Sequence, residues 1–126
     1  MRLIDRLMIG LLRAGIGTRS TALLETRGRR SGHPRLTPVT NALDGDRFWI
    51  VTEHGTRSNY VRNLLADPQV RVKAGRKWRR GVAHLVNEEP NARLEKIARR
   101  NPRTRSNTSI VRKSASDLRV IRIDLE

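Results

Sequence analysis

Residues 21–52, TALLETRGRRSGHPRLTPVTNALDGDRFWIVT, decide the architecture. TALLET (21–26) is a short apolar run that reads as a strand. Gly28 and Gly32 bracket the Arg-rich turn RGRRSGHPR that follows. From Leu36 to Leu43 the chain alternates loosely around Pro38; proline has no N–H to give a ladder, so an edge or a bulge is expected here. Asp44-Gly45 is a strong hairpin signal, and RFWIVT (47–52) returns as a buried strand.

Working outward, a polar loop from Glu53 to Ser58 leads into a short helix over Asn59–Ala66, stopped by Pro68. Val70, Val72 and Ala74 alternate with Arg71 and Lys73, Gly75 turns the chain, and Trp78 to Val86 runs back. Pro90 opens a second helix through Arg100. Asn101–Ser116 reads as polar and irregular, and Leu118–Leu125 alternates as a last strand. The order is helix, three strands, helix, two strands, helix, strand. Such hairpins predict a mainly β, mostly antiparallel α+β fold, a small barrel with flanking helices and no doubly wound sheet. No repeat, low-complexity tract or linker interrupts it, so residues 18–126 read as a single domain.

Ahead of it, in MRLIDRLMIGLLRAGIG (1–17), Leu3, Ile4, Leu7, Met8, Leu11 and Leu12 recur at helical spacing. Asp5 and Arg6 break the continuity that a signal peptide needs. This amphipathic helix caps the barrel or seals a dimer on one reading, and rests on an anionic membrane on the other. No apolar run is long enough to span a bilayer as a helix.

The chain has 126 residues, with 27 Lys+Arg against 12 Asp+Glu, a net charge of +15. It has no cysteine, which excludes disulfides, thiolate metal sites and a cysteine nucleophile and fits a reducing compartment. His33, His54 and His84 are too far apart in sequence for a local zinc motif, and no metal is expected. The charge points to an anionic partner. It is unevenly spread: residues 1–43 carry a local +6, residues 44–69 a local −1, residues 70–86 +6 and residues 87–126 +4. A molecule with an anionic tail and a neutral, planar, reactive head fits that contrast. Nucleic acid would spread its contacts more evenly along a basic face.

Three segments carry candidate chemistry. In Arg27-Gly28-Arg29-Arg30-Ser31-Gly32, glycines let the backbone approach a ligand, while forked guanidinium and hydroxyl donors suit phosphate or carboxylate. The alternative is a solvated hairpin. The spacing GxxxxGK(S/T) is absent, which argues against a nucleotide-hydrolysing P-loop. The loop Glu53-His54-Gly55-Thr56-Arg57-Ser58-Asn59-Tyr60 follows an apolar strand and suits the polar edge of a flat heterocycle. There, His54 could equally be a loop histidine, Ser58 or Asn59 the helix N-cap, and Asn63 a turn-fixing residue. Arg76-Lys77-Trp78-Arg79-Arg80 could stack and grip RNA, or be a solvated hairpin; it has no RNP or helix-turn-helix signature.

Leu24–Arg35 (LETRGRRSGHPR) followed by Thr37-Pro38-Val39 resembles the "T-x-GR-(K/R)-SG-x-PR…P" stretch of the deazaflavin-dependent nitroreductase family. Val51–Gly55, Tyr60–Leu64 and Ala66–Val72 resemble its second block. The resemblance is firm over residues 20–86 and extends to the whole chain in element order. It implies a split β-barrel, like that of flavin mononucleotide (FMN)-binding proteins, and coenzyme F420, whose phospholactyl-oligoglutamate tail is strongly anionic. By resemblance Arg27, Gly28, Arg29, Arg30, Ser31 and Gly32 hold the tail with Arg35 beside them. Thr52, Glu53, His54 and Gly55 border the deazaflavin, Tyr60, Arg62 and Asn63 complete that edge, and Pro38 packs beneath the ring. The implied reaction is hydride transfer from reduced F420 to a quinone, enone or nitro compound, with Tyr60 or His54 as candidate proton donors.

The 55–60 loop looks shorter than in nitroimidazole-reducing members, and Tyr60 stands where many carry Trp. It is also the one tyrosine of the chain, and Arg103–Thr108 is cationic where those members place tyrosines, which bears against nitro-prodrug reduction. The rival readings are an FMN reductase on the same fold and a basic nucleic-acid-binding module. A small-molecule electrophile is the expected partner, with no specific nucleic acid. A homodimer and a cytoplasmic location, with or without peripheral contact at the inner face of the plasma membrane, complete the expectations.

Overall fold

The computed structural model describes residue 10 and residues 19–126. The helix expected over residues 1–17 therefore lies, apart from Gly10, outside the described residues. Strands β1 (Thr21–Arg27) and β2 (Pro34–Thr40) pair from Thr21 opposite Thr40 to Arg27 opposite Pro34. Their turn is closed by the Gly28 N–H on the His33 carbonyl and the Gly32 N–H on the Gly28 carbonyl, both 2.8 Å. Strands β3 (Leu43–Asp44) and β4 (Arg47–Thr52) form the second hairpin, with Gly45 at φ +61° in the turn that Asp44-Gly45 announces. Strands β5 (Gln69–Lys73) and β6 (Trp78–Val86) form the third.

Strand β7 (Arg119–Leu125) completes one sheet of order β2-β1-β5-β6-β7-β4-β3, in which every neighbouring pair is antiparallel. The sheet curls into a half-barrel with flanking helices, the split-barrel architecture. Pro38 lies on the edge strand β2 opposite Leu23, where a missing N–H disrupts no ladder.

The core follows from where β7 enters. Ile123 stands between Phe48 of β4 and Ala83 of β6, and Ile121 between Ile50 and Leu85. Phe48, Ile121 and Ile123 are fully buried, together with Leu24 of β1. Helix α1 (Asn59–Ala66) contributes Val61 and Leu64 to the same core. In β6 the small residue is required: a Cβ on Gly81 would stand 2.7 Å from Ile123 Cγ2 and 2.9 Å from the Asp124 carbonyl.

Helix α2 (Pro90–Arg100) starts where the sequence places it. Pro90 opens it, and the Glu89 carboxylate accepts the N–H groups of Asn91 and Ala92 at 3.2 and 2.6 Å. Its Ile97 joins Ala42, Trp49 and Val120 in a second apolar cluster. The Arg93 guanidinium lies 3.4 Å from the Trp49 ring centroid and bonds Glu88, whose carboxyl is held below its usual range chiefly by that bond.

Two expectations are corrected, and one alternative is narrowed. The irregular stretch Asn101–Ser116 is a 3-10 turn, Pro102–Thr104, followed by helix α3 (Arg105–Ser114). Its buried stripe is Thr104, Thr108 and Val111, a helical spacing hidden because two of its members are polar. Their hydroxyls donate to the Asn101 and Arg105 carbonyls at 2.7 and 3.0 Å, so burial strands no polar atom. The strand expected over Leu36–Leu43 is two elements, β2 and β3, parted where the Asn41 N–H bonds the Ser20 carbonyl at 3.0 Å. Trp78 is no free stacking platform: it packs on Leu23 with the Arg71 guanidinium 4.9 Å from its ring centroid.

Among the described residues no helix is long and apolar enough to cross a membrane. Gly81→Ala is expected to lower unfolding stability by about 1–3 kcal/mol through overpacking against Ile123. Chemical denaturation checks this, and an unchanged midpoint would contradict the packing described.

Candidate functional site

Two cavities adjoin at Tyr60. The first, about 440 Å³, is lined by Gly28, Arg29, Arg30, Ser31, Arg35, Thr37, Asn59, Tyr60 and Asn63. Among the described residues it is lined by three arginines and no carboxylate, an arrangement that favours an anion. The Ser31 hydroxyl accepts the His33 N–H at 3.1 Å, which leaves its proton to donate. A Cβ on Gly28 would meet that hydroxyl at 2.7 Å and the His33 carbonyl at 3.2 Å, so any larger residue there would displace the Ser31 side chain.

The second cavity, about 370 Å³, opens between the sheet and helices α2 and α3. Pro38, Trp49, Leu94, Ile97 and Val111 give it apolar walls, while Glu53 and His54 are its ionisable groups beside Tyr60. A near-neutral, largely apolar chamber thus adjoins a cationic one. This is the contrast that the segment charges of the sequence suggest, now in three dimensions.

The loop bearing Glu53 and His54 is tied to the lead-in of β7. The buried Thr52 hydroxyl accepts the N–H groups of Gly55 and Arg119, each at 3.2 Å, and donates to the Asp117 carbonyl at 3.3 Å. The Glu53 carbonyl accepts the N–H groups of Ser116 and Asp117 at 2.9 and 3.0 Å. Gly55 has φ +52°, a conformation that favours glycine, and a Cβ there would run into the Asp117 carboxylate. His54 Nδ1 stands 3.0 Å from the Ser116 hydroxyl, which also receives Arg57, and its Nε2 is 4.0 Å from Glu53.

Of the residues singled out in the sequence, Gly28, Arg29, Arg30, Ser31, Arg35, Tyr60 and Asn63 meet in the basic cavity. Pro38, Glu53, His54 and Tyr60 meet in the second. Five others line neither. Arg27 turns to the Gly32 carbonyl at 3.1 Å and to Asp67 at 3.7 Å, and borders a separate cleft with Glu25, Arg71 and Glu126. Gly32 supplies the positive φ of the turn and that carbonyl. Arg62 donates to the Thr56 carbonyl at 2.6 Å, while Thr52 and Gly55 are the buried frame of the loop.

Asn63, expected by resemblance at the edge of the deazaflavin, faces the arginine turn and lines the first cavity. Sequence reading missed the far wall, namely Asn107, Thr108, Ile110 and Val111 of α3 with Leu94 and Ile97 of α2. The signal was the spacing of Thr104, Thr108 and Val111.

Burial, reinforced by the nearby Glu53 charge, pushes the Tyr60 phenol well above its ordinary value of 10.0. The group is therefore a neutral hydrogen-bond donor. The folded protein keeps this proton after the unfolded chain has released it, so stability falls as pH rises past 10.0. Because Tyr60 is the one tyrosine, the native protein is expected to show no tyrosinate absorbance at that pH, the signal appearing on unfolding; an ordinary native titration would contradict the burial. Thr52→Val is expected to cost about 1–3 kcal/mol for each buried N–H it orphans, and an unchanged melting temperature would show the loop latch to be dispensable.

The geometry can be set beside known proteins. Over 64 residues the chain is 39% identical to an F420H(2)-dependent quinone reductase of Mycobacterium tuberculosis (strain H37Rv), covering 48% of this chain and 43% of that protein. The match thus spans less than half the length of this curated relative. A solved F420-H2 dependent reductase (FDR-A) superposes with TM-score 0.64 at 21% identity, covering 86% of this chain and 95% of that one. The heme storage protein HutZ of Vibrio cholerae has TM-score 0.58 at 19% identity, covering 100% and 92%. At such identities these two structures speak for the fold alone. The family model described as F420H(2)-dependent quinone reductase matches residues 9–117, so the chain belongs to that family.

Proposed function

We propose that this protein is an F420-dependent reductase that passes a hydride from the reduced deazaflavin to a small electrophile of the quinone, enone or nitro class. The observation that carries the reading is the pair of adjoining cavities, one cationic without a carboxylate and one near-neutral, meeting at Tyr60. The donor set fits the coenzyme. Arg29, Arg30, Arg35 and Ser31 present forked and hydroxyl donors to its phosphate and carboxylates, and Gly28 lets the backbone come close. Pro38, Glu53, His54 and Tyr60 border the space for its ring.

When bound, the deazaflavin supplies the hydride chemistry; the chain binds, orients and excludes water. Trp49, Leu94, Ile97 and Val111 keep the reaction space apolar, which strengthens each hydrogen bond made inside it. The Tyr60 phenol keeps its proton and donates a hydrogen bond toward charge developing on the acceptor oxygen. It is too weak an acid to be an obligatory proton source, so His54 at the mouth, or solvent, delivers the proton. Asn107, Thr108 and Ile110 of α3 are placed to meet the substrate.

Titration with coenzyme F420, followed by its fluorescence, tests this reading with FMN and a short oligonucleotide as competitors. Saturable binding at micromolar protein in low salt, undisturbed by either competitor, is expected. No response would overturn the proposal, and displacement by FMN or by the oligonucleotide would favour the corresponding rival. Arg29→Ala combined with Arg30→Ala is expected to weaken binding by about 1.5–3 kcal/mol for each charge-assisted hydrogen bond lost. Unchanged affinity would place the tail elsewhere.

A further inference from the structure

Asn63 holds the arginine turn from a distant element. It sits on α1, is 5% exposed, and reaches across 34 sequence positions to Arg29. Its side-chain oxygen accepts two hydrogen bonds from that one residue, the backbone N–H at 3.2 Å and the guanidinium Nη1 at 2.9 Å. Its amide nitrogen donates to the hydroxyl of Thr26 at 3.3 Å. Thr26 is 1% exposed and lies on β1, one turn of chain before the arginine it helps to aim.

The orientation of the amide is forced. A nitrogen in place of the oxygen would face two N–H donors that cannot accept, so the flipped amide would lose both bonds. The Thr26 hydroxyl, which can donate or accept, takes the amide nitrogen in that orientation. A long arginine ordinarily loses much of its side-chain freedom when a ligand immobilises it. Here one edge of the guanidinium is already held by a neutral acceptor. Its positive charge stays uncompensated, and its remaining N–H groups stay available to the cavity. A carboxylate at position 63 would hold the arginine equally well but would neutralise it.

We infer that Thr26 and Asn63 form a positioning relay that presets Arg29 for the anionic tail of the cofactor, and that Asn63 acts on binding through Arg29 alone. The inference rests on the F420 reading above and concerns how the tail site is built. It assigns Asn63 to tail recognition, where the resemblance places it at the edge of the ring.

Dissociation constants for two ligands test it: coenzyme F420, and the same deazaflavin lacking the phosphate and glutamates. Asn63→Ala is expected to weaken F420 about ten-fold or more while leaving the tail-less ligand within about two-fold. Asn63→Asp is expected to weaken F420 at least as much, because it neutralises Arg29 while still holding it. In an Arg29→Ala background, Asn63→Ala is expected to change nothing further. Thr26→Ser is expected to bind like the parent, and Thr26→Val to share the tail-specific loss. That pair keeps the test informative should Asn63→Ala fold poorly, with melting temperature recorded for every variant.

Equal loss for both ligands, an Asn63→Asp variant that binds F420 like the parent, or full additivity with Arg29→Ala would overturn the relay. Failure of the parent protein itself to bind F420 would overturn the function reading, so the two failures are distinct.

Discussion

The insertion of β7 between β4 and β6 is the constraint on which the rest depends. Without it the hairpin β3–β4 has no partner strand in the group β2-β1-β5-β6, and the sheet is two pieces. Ile121 and Ile123 close the gap, each facing an apolar residue on both sides. The residues just before β7 carry the second consequence. Ser116 and Asp117 take hold of the Glu53 carbonyl and pack on Gly55, so the pairing that completes the sheet also shapes the mouth of the second cavity. Fold and site share one closure.

That closure gives the charge of the chain a different meaning. Most of the arginines outside the turn have work within the molecule. Arg71 forks onto Glu25, Arg79 reaches Asp46, Arg100 reaches Asp44, and Arg47, Arg122 and His84 surround Asp124. Such exposed pairs contribute about 0–1 kcal/mol each and are screened over about 10 Å at 0.1 M salt. The group lining the basic cavity stands apart: among the described residues, Arg29, Arg30 and Arg35 line it together with no carboxylate. These three arginines account for only part of the net +15, and the surplus on residues 70–86 and 93–113 lies outside the basic cavity.

The hairpins, the edge position of Pro38, the helix after Ser58 and the start of α2 at Pro90 were legible because each depends on local chemistry: turn glycines, a missing N–H, a capping carboxylate. Helix α3 was not, because its buried stripe runs through Thr104 and Thr108, and a threonine hydroxyl bonded to the carbonyl three residues back carries no hydrophobic signal. The site divided along the same line. Residues in contiguous motifs line both cavities, and the lining supplied by α3 and the Asp117 latch carries no such motif. Arg27 and Asn63 show a subtler limit. A motif does not say which way a side chain turns: Arg27 faces Asp67, and Asn63, also read as a turn-fixing residue, faces Arg29.

The central claim is that one ligand spans both cavities across Tyr60. A crystal structure of the protein with coenzyme F420 bound tests it most directly. Density for the phosphate against Arg29, Arg30 and Ser31, continuous past Tyr60 with a planar ring beside Pro38 and His54, is the result this arrangement requires. A tail lodged in the cleft of Arg27, Arg71 and Arg80, or a ring outside the chamber formed by α2 and α3, would contradict it.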